Sequence, residues 1–237
     1  AASPKAAVAG QTAGVGASVA LGELTGTTTA ELADGAGLAG AHGLSITADA
    51  AMASETTAAG GATGTGVSVA GATAIGVSAL ATTARIGTGA PLTVTGDVSV
   101  TADQRAPVTT TATGAAESGD AAVGLALALA FVDHTVRATV LRDVTAGGVI
   151  VIRVTGATGA TTTAEASAGG APAEGAADQQ GAGSSLADAR QYASSQGTGG
   201  STLPATPSPS TPAGTVSVAA AIAVTLLTSV ADASVAG

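Results

Sequence analysis

Large apolar residues alternate with small or polar ones along several stretches of this chain. These stretches begin near Gly14, Gly66 and Ala122, and the pattern resumes at Val216. A period of two is typical of β-strands that turn one face inward, so the sequence predicts strands with the large residues on the inner face. The residues concerned are Val15, Ala17, Val19 and Leu21; Val67 and Val69; Val123, Leu125, Leu127, Leu129 and Phe131; and Val216, Val218, Ile222, Val224 and Leu226.

The pattern repeats at a fixed spacing along the chain. Ala30-Glu31-Leu32 returns 54 positions later as Ala84-Arg85-Ile86 and again as Ala138-Thr139-Val140, and Leu44–Asp49 returns as Val98–Asp103. A fixed period of this size is the signature of a stacked array in which each unit buries its apolar face against its neighbours. The sequence therefore predicts an all-β chain that folds as a parallel β-helix, or β-solenoid. Each unit is expected to supply about two rungs of about 20–30 residues.

An Ala/Gly/Thr-rich tract closes each unit, at Thr56–Thr65, Thr109–Ala116 and Thr158–Gly170. Alanine favours helix, but the glycine and threonine content opposes it and no apolar stripe of helical period runs through these tracts. They are predicted to be short strands and turns.

A long insertion divides the third unit from the fourth. Aligning Ala138-Thr139-Val140 with Ala233-Ser234-Val235 gives an offset of 95 residues, 41 more than the period. The excess falls in Gly170–Ala213, a stretch rich in Gly, Ser, Thr and Pro, which predicts an extended inserted loop. The predicted organisation is thus three solenoid repeats over residues 1–169, the loop over 170–213, and the start of a fourth repeat over 214–237. Since this repeat stops partway, we expect a piece of a longer protein or a subunit whose open ends meet other copies.

Composition narrows the class of protein further. Hydrophobic residues make up 46% of the chain, yet only 1% are aromatic and 35 residues are glycine, so a thin core between close backbones is expected. Net charge is −9 with only seven Lys and Arg, which argues against nucleic-acid binding. There is no cysteine, so disulfides and thiolate metal sites are excluded. The longest apolar runs span about twelve residues, too few for a membrane-spanning helix.

The polar residues suggest no reactive site. Asp34 and Asp97 lie beside glycines and Asp49 and Asp103 occupy equivalent positions, and all are predicted to be turn residues that bond nearby amides rather than Ca²⁺ ligands. His42 and His134 are unrelated by the repeat, so no metal site is predicted. Asp133, His134 and Arg137 are expected at a strand edge or loop, with side chains on two faces. No catalytic residue, metal or cofactor is predicted.

The units resemble the repeats of large bacterial surface exoproteins. The resemblance rests on Gly14–Leu21 and on Leu92–Asp103, with its Leu-Thr-Val-Thr-Gly-Asp-Val-Ser-Val-Thr-Ala-Asp sequence. Such repeats occur in adhesins of the filamentous-haemagglutinin and autotransporter-passenger type. The resemblance implies a right-handed parallel β-helix in a secreted or cell-surface protein of a bacterium.

Between the large residues of the third and fourth units lie small ones, which predict a flat second apolar face. Strands that are apolar on both faces are usually covered on both, here by the chain's own loop or by another copy. The predicted assembly face consists of Gly124, Ala126, Ala128 and Ala130 with Ala219, Ala221 and Ala223.

The leading functional hypothesis is a structural, self-associating segment of a bacterial extracellular fibre, sheath or adhesin stalk. Its expected partners are other copies, met through open solenoid ends or through the flat Ala/Gly faces. One alternative is a binding module whose loop or threonine face grips a glycan, a host receptor or ice. A more remote alternative is a carbohydrate-active enzyme on the same scaffold, since fold alone does not exclude catalysis.

Overall fold

The computed structural model describes residues 5–9, 12–169, 208–210 and 216–236, the first and third of these as backbone strands only. Of these residues 82% lie in strands and none in a helix, so the all-β prediction is confirmed. The strands are β1 (Lys5–Ala9), β2 (Ala13–Leu32), β3 (Leu44–Ala51), β4 (Ser54–Gly64), β5 (Val67–Ile86), β6 (Leu92–Val94), β7 (Val98–Ser118), β8 (Ala121–Val140), β9 (Val144–Ala146), β10 (Ile150–Gly169), β11 (Ser208–Ser210) and β12 (Val216–Val235).

The strands form two large sheets and one small one, and all the pairs are parallel. The four-stranded sheet has the order β12-β8-β5-β2, and the six-stranded sheet has the order β1-β4-β7-β10-β11. Strand β3 also pairs with β7, so β3 and β4 lie end to end along it. Strands β6 and β9 form the small sheet. Along the chain, the long strands alternate between the two large sheets.

The register reproduces the sequence repeat. Ala30 pairs with Ala84 and Ala84 with Ala138, while Leu44 pairs with Val98, which confirms the alignment of the units. One repeat nevertheless passes only once through each large sheet. The expectation of two rungs per unit is wrong, because long strands such as β2 and β5, of 20 residues each, use up most of the repeat.

The Ala/Gly/Thr tracts are strand, not alternating strands and turns. Thr109–Ala116 lies inside β7, while most of Thr56–Thr65 and of Thr158–Gly170 lies in β4 and β10. Because each tract pairs in register with its equivalent in the next repeat, parallel hydrogen bonding extends the strand through residues of low β-propensity.

The two large sheets pack face to face over an interior that changes in character along the strands. At one end it is filled by Val and Ile, including Ile86, Val100 and Val136. At the other end it contains alanine, with Ala58, Ala74 and Ala128 among its fully buried residues. Since side-chain size sets the separation of packed sheets, the backbones approach most closely at the alanine end.

Glycine is required where the backbones meet. A Cβ on Gly124 would collide with the carbonyl oxygen of Ser167, and one on Gly114 with that of Leu125. Gly16 and Gly60 face similar obstacles in the opposite sheet. The glycines of the repeat therefore serve close sheet-to-sheet approach.

The fourth unit has the predicted alignment: Ala138 pairs with Ala233 and Val140 with Val235. The predicted loop over residues 170–213 lies outside the described residues, except for the short strand β11, which pairs with Glu165–Ser167 of β10. Within the described part of the chain, no helix is long and apolar enough to cross a membrane.

Candidate functional site

The most distinctive surface is the outer face of the four-stranded sheet near the beginnings of its strands. In β2, β5 and β8 the odd-numbered residues point outward, and in β12 the even-numbered ones. We call the large apolar residues in the first half of these strands the apolar patch. The patch comprises Val15, Val19 and Leu21; Val67, Val69, Ile75 and Val77; Val123, Leu125, Leu127, Leu129 and Phe131; and Val216, Val218, Ile222, Val224 and Leu226.

These side chains are open to solvent. Leu21 is 64% exposed on β2, Leu125 is 44% exposed on β8, and Leu226 is 62% exposed on β12. The residues on the central strands are partly shielded, because neighbouring aliphatic chains stand beside them. Soluble monomers seldom expose contiguous apolar surface beyond about 300–600 Å², and larger patches mark interaction sites.

This orientation reverses the sequence prediction for the first half of each strand. Val15, Val19 and Leu21 were expected inside, but they point outward, while Ser18 and Ala20 between them are buried. The cause is the narrow gap between the sheets, which admits only Gly, Ala, Ser or Thr at these positions. In the second half of each strand the large residues change parity and do face inward, as at Leu80, Ile86 and Val136.

The predicted assembly face lies in the interior of the protein. Ala126, Ala128 and Ala130 are buried, and Ala126, Ala128 and Ala221 pack with Ala164 and Ala166 of the opposite sheet. Ala219 and Ala223 flank the same cluster, and Gly124 lies against Ser167. The chain's own six-stranded sheet therefore covers this face. The prediction that these small residues form an assembly face for another copy is wrong, because they are already packed in the interior.

The remaining outer surfaces of the two large sheets are mainly polar, with exceptions such as Val151. The second half of the four-stranded sheet carries Glu31, Arg85, Asp133 and Arg137 on its outward positions. Arg85 Nε donates to Glu31 Oε2 at 2.5 Å. On the outer face of the six-stranded sheet, outward residues are mainly Thr, Ser and charged side chains, with Thr57, Thr111 and Thr163 side by side. The apolar patch is thus bordered by polar surface.

A second candidate surface lies at the β12 end of the four-stranded sheet. Leu227 and Val235 continue rows whose β8 members, Val132 and Val140, are buried. Yet Leu227 is 38% exposed and Val235 is 65% exposed. On the six-stranded sheet Ile150, which pairs with buried Val98, is also exposed. Several inward-facing side chains at this end of the two sheets are therefore exposed.

His134 is a core residue. Its ring is inaccessible to solvent, with Nε2 at 2.8 Å from Ser78 Oγ and Nδ1 at 3.3 Å from Thr158 Oγ1. Burial lowers its pKa, and the neighbouring carboxylate of Asp133 opposes this shift. Asp133 and Arg137 point outward, as the alternation predicted, but all three residues lie inside strand β8, not at an edge or loop. His134 therefore lies on the opposite face of β8 from Asp133 and Arg137.

Arg142 holds three successive corners of the fold together. Its Nη1 donates to Ala36 O at 2.6 Å, its Nη2 donates to Thr88 O at 2.9 Å and to Ala33 O at 3.1 Å, and its Nε donates to the Gly87 carbonyl. The side chain is buried, and carbonyl groups satisfy its charge. Sequence reasoning missed this role, although a single cation between Val140 and Val144 was a visible signal.

The aspartates next to glycine bond amides of the neighbouring repeat. Thr88 N donates to Asp34 Oδ1 at 2.7 Å, and Val149 N donates to Asp97 Oδ1 at 2.8 Å. The bonds from Thr88 lower the pKa of Asp34. The prediction of amide-bonding turn residues is confirmed for these two, whereas Asp49 and Asp103 lie in mid-strand and pair with each other.

His42 is exposed, with Nδ1 at 2.9 Å from Thr95 Oγ1. Over residues 12–169 and 216–236, no group of three or more His, Asp and Glu side chains is arranged to hold a metal ion. Comparisons with protein-family models, with curated proteins and with solved structures find no match for this chain.

Proposed function

We propose that this chain is a β-solenoid segment with a structural, self-associating role in a bacterial extracellular or cell-surface fibre, sheath or adhesin stalk. The observation that carries the proposal is the continuous parallel register, in which equivalent residues of successive units stack strand upon strand. In such an array each unit contacts only its neighbours, and adding units lengthens the body without altering its cross-section.

The distribution of polar groups supports a mechanical role over a catalytic one. Arg142, Asp34 and Asp97 are engaged in bonds between successive corners, and His134 is bonded within the core. These groups stabilise the stack and do not converge on a cleft. The extracellular setting rests on the resemblance of Gly14–Leu21 and Leu92–Asp103 to surface-exoprotein repeats.

The uncovered end of the interior supports growth along the stack. Leu227 and Val235 face inward without a cover, and β12 is the last strand of its sheet. An unpaired edge of a parallel sheet is a template for another strand, and a further turn from a second copy would both pair this edge and bury these side chains.

The first test is electron microscopy of concentrated protein, comparing Leu227→Lys with Thr228→Lys. The two residues are adjacent on β12, but Leu227 continues an inward row and Thr228 continues an outward one. We expect the wild type to form filaments or rods. The Leu227→Lys change should reduce their number at least about tenfold, because a buried unpaired ammonium is costly, while Thr228→Lys should leave them unchanged.

If the wild type gives only compact monodisperse particles at every concentration, the proposed growth into filaments is wrong. If both lysine variants form filaments like the wild type, assembly does not use this end. Circular dichroism of each variant establishes that the sheets remain folded. Mass spectrometry of native material would then determine whether the segment works alone or as part of a longer stalk.

A further inference from the structure

We propose that the apolar patch binds a second copy of this chain, patch against patch, in a symmetric dimer. The inference rests on the proposed function for its biological setting, and adds the surface and partner of lateral association. Of all the outward positions in the first half of the four strands, only Glu23, on the edge strand β2, carries a charge.

The size of the patch suits a stable interface. Its outward rows extend from residue 13 to residue 23 of β2, about 33 Å at about 3.3 Å per residue, and across four strands, about 19 Å at about 4.8 Å per strand. The area is therefore roughly 600 Å² on each copy and roughly 1,200 Å² in a dimer, a total that reaches the lower limit for specific protein interfaces.

The shape of the patch also suits a copy of itself. Parallel strands in register place large aliphatic side chains in rows, as with Leu21, Ile75, Leu129 and Val224. Two such sheet faces can interdigitate at about 10 Å, the usual spacing of packed sheets. A two-fold axis through the patch uses the same surface on both partners, which makes the contact self-complementary and closed.

Charge favours a second copy over a lipid surface. Membrane-surface binding usually combines apolar contact with basic side chains that face anionic headgroups. Here the outward charges beyond the patch are mixed, with Glu31, Asp133 and Asp232 beside Arg85 and Arg137. The chain as a whole has a net charge of −9. An anionic bilayer would repel it over the whole contact, whereas a second copy, although equally acidic, would meet it through side chains that carry no charge.

The chain's own insertion lacks the side chains to cover the patch. Residues 170–215 contain only Leu186, Tyr192 and Leu203 as large apolar residues, among many Gly, Ser, Thr and Pro. The patch itself has a large aliphatic or aromatic residue at most of its outward positions. A second copy supplies a matching number of them.

The decisive comparison is Leu125→Glu against Val151→Glu, by sedimentation velocity and equilibrium on the full chain. Both side chains are outward and similarly exposed, at 44% and 43%, but Leu125 lies in the patch and Val151 on the six-stranded sheet. We expect the wild type and Val151→Glu to dimerise at micromolar concentration. Leu125→Glu should weaken the dimer at least about 100-fold, because symmetry buries two carboxylates in one interface.

A second measurement locates the contact. The chain has no cysteine, so a single introduced thiol reports its own surroundings. Thr73→Cys lies near the centre of the patch, and Thr111→Cys is its control on the outer face of the six-stranded sheet. A short bis-maleimide reagent should link two copies of Thr73→Cys efficiently, and Thr111→Cys at least about tenfold less.

Three outcomes overturn the inference: a wild-type monomer at several hundred micromolar, a Leu125→Glu dimer as tight as the wild type, or a monomer that binds neutral phosphatidylcholine vesicles through Leu125. These results are separable from failure of the proposed function. Wild-type filaments, together with a Leu125→Glu dimer as tight as the wild type or with no wild-type dimer at all, would leave end-to-end growth standing and remove only the lateral dimer. Wild-type dimers without filaments or rods would do the reverse.

Discussion

Gly114 and Gly124 lie where the backbones of the two sheets touch, and they illustrate how single residues set this fold. Each occupies an inward position at which a Cβ would meet a carbonyl oxygen of the opposite sheet. A Cβ added to an outward glycine such as Gly71 would have no atom of a non-adjacent residue within 4 Å. Whether a glycine is needed for the packing of the two sheets therefore depends on which face of the strand it occupies.

Replacing Gly124 and Gly71 by alanine tests this difference. We expect Gly124→Ala to lower the free energy of unfolding by about 1–3 kcal/mol, because the sheets must move apart locally. Gly71→Ala should leave it unchanged or raise it by up to about 1 kcal/mol, since alanine reduces the entropy of the unfolded chain. Urea denaturation measures both, and equal effects would contradict the close approach of the sheets.

His134 makes the stability dependent on pH. Burial lowers its pKa in the folded state below the ordinary value of about 6.5. As pH falls below about 6.5, the unfolded chain therefore binds a proton that the folded chain does not. The contribution of His134 to the free energy of unfolding should be fully present above that pH and should decrease below it. The decrease should be at most about 1.4 kcal/mol per pH unit and should stop once the pH falls below the folded-state pKa.

Urea denaturation between pH 5.5 and 8 measures this dependence. His134→Gln should flatten the decline over that range, while His42→Gln, at an exposed position, should retain it. A wild type whose stability is constant over this range, or a His134→Gln variant with the same slope as the wild type, would contradict a buried neutral imidazole.

At the scale of elements, the strands are long because every repeat supplies the same partner. Residues such as Gly60 and Ala115 have weak β-propensity, yet they lie in strands because Gly60 pairs with Gly114 and Ala115 pairs with Gly61 in the neighbouring turn. In a strand the side-chain period is two, so any register shift by one residue exchanges the inner and outer faces. Because equivalent residues pair in register, these faces are preserved from unit to unit, even where the offset to β12 is the odd number 95.

Two deletions test the importance of strand register. Removing residues 67–120 excises one complete repeat, so β2 and β8 can pair directly with their faces unchanged. Removing Thr111 alone, in the middle of β7, turns half of that strand inside out. We expect the variant that lacks a whole repeat to unfold cooperatively with a strand-type circular dichroism spectrum. The one-residue deletion should lose at least about 3 kcal/mol or fail to fold.

A single-residue deletion that is better tolerated than the loss of a complete repeat would contradict the register. A matched control is the deletion of Ala39, in the exposed connection between β2 and β3, where no strand pairing is affected. That variant should be close to the wild type in stability.

At the scale of the whole molecule, the two large sheets of the described residues pack face to face and have unlike outer surfaces. The six-stranded sheet presents threonine, serine and charge, the four-stranded sheet presents the apolar patch beside a polar half, and one end leaves Leu227 and Val235 uncovered. End growth and lateral docking would run in different directions and use different residues. Leu227→Lys should therefore block end growth, and Leu125→Glu should block lateral docking. In the wild type, end growth and lateral docking together would produce a bundled fibre of paired rods.

Much of the architecture follows from the sequence alone. The repeat period established which residues stack, because identical units find identical partners: Ala30, Ala84 and Ala138 align in the structure as in the sequence. The sequence alignment also identified the displaced fourth unit, since it matched Val140 with Val235, and these two residues pair in the structure. The all-β class followed from alternation and the scarcity of helical patterns, since both depend on local residue order.

Only the tertiary structure decided which face of each strand is inside. Alternation at Val123–Phe131 defines two faces but not their direction, and the usual rule assigns the large residues to the core. That rule is wrong here because the second sheet lies too close, and its carbonyl groups leave room only for residues as small as Gly124 and Ala128. The change of parity at Val132 and Val136 was a local hint, but the separation of two sheets is a property of the packed pair. The site that we propose for assembly is accordingly formed by the large residues and not by the small ones.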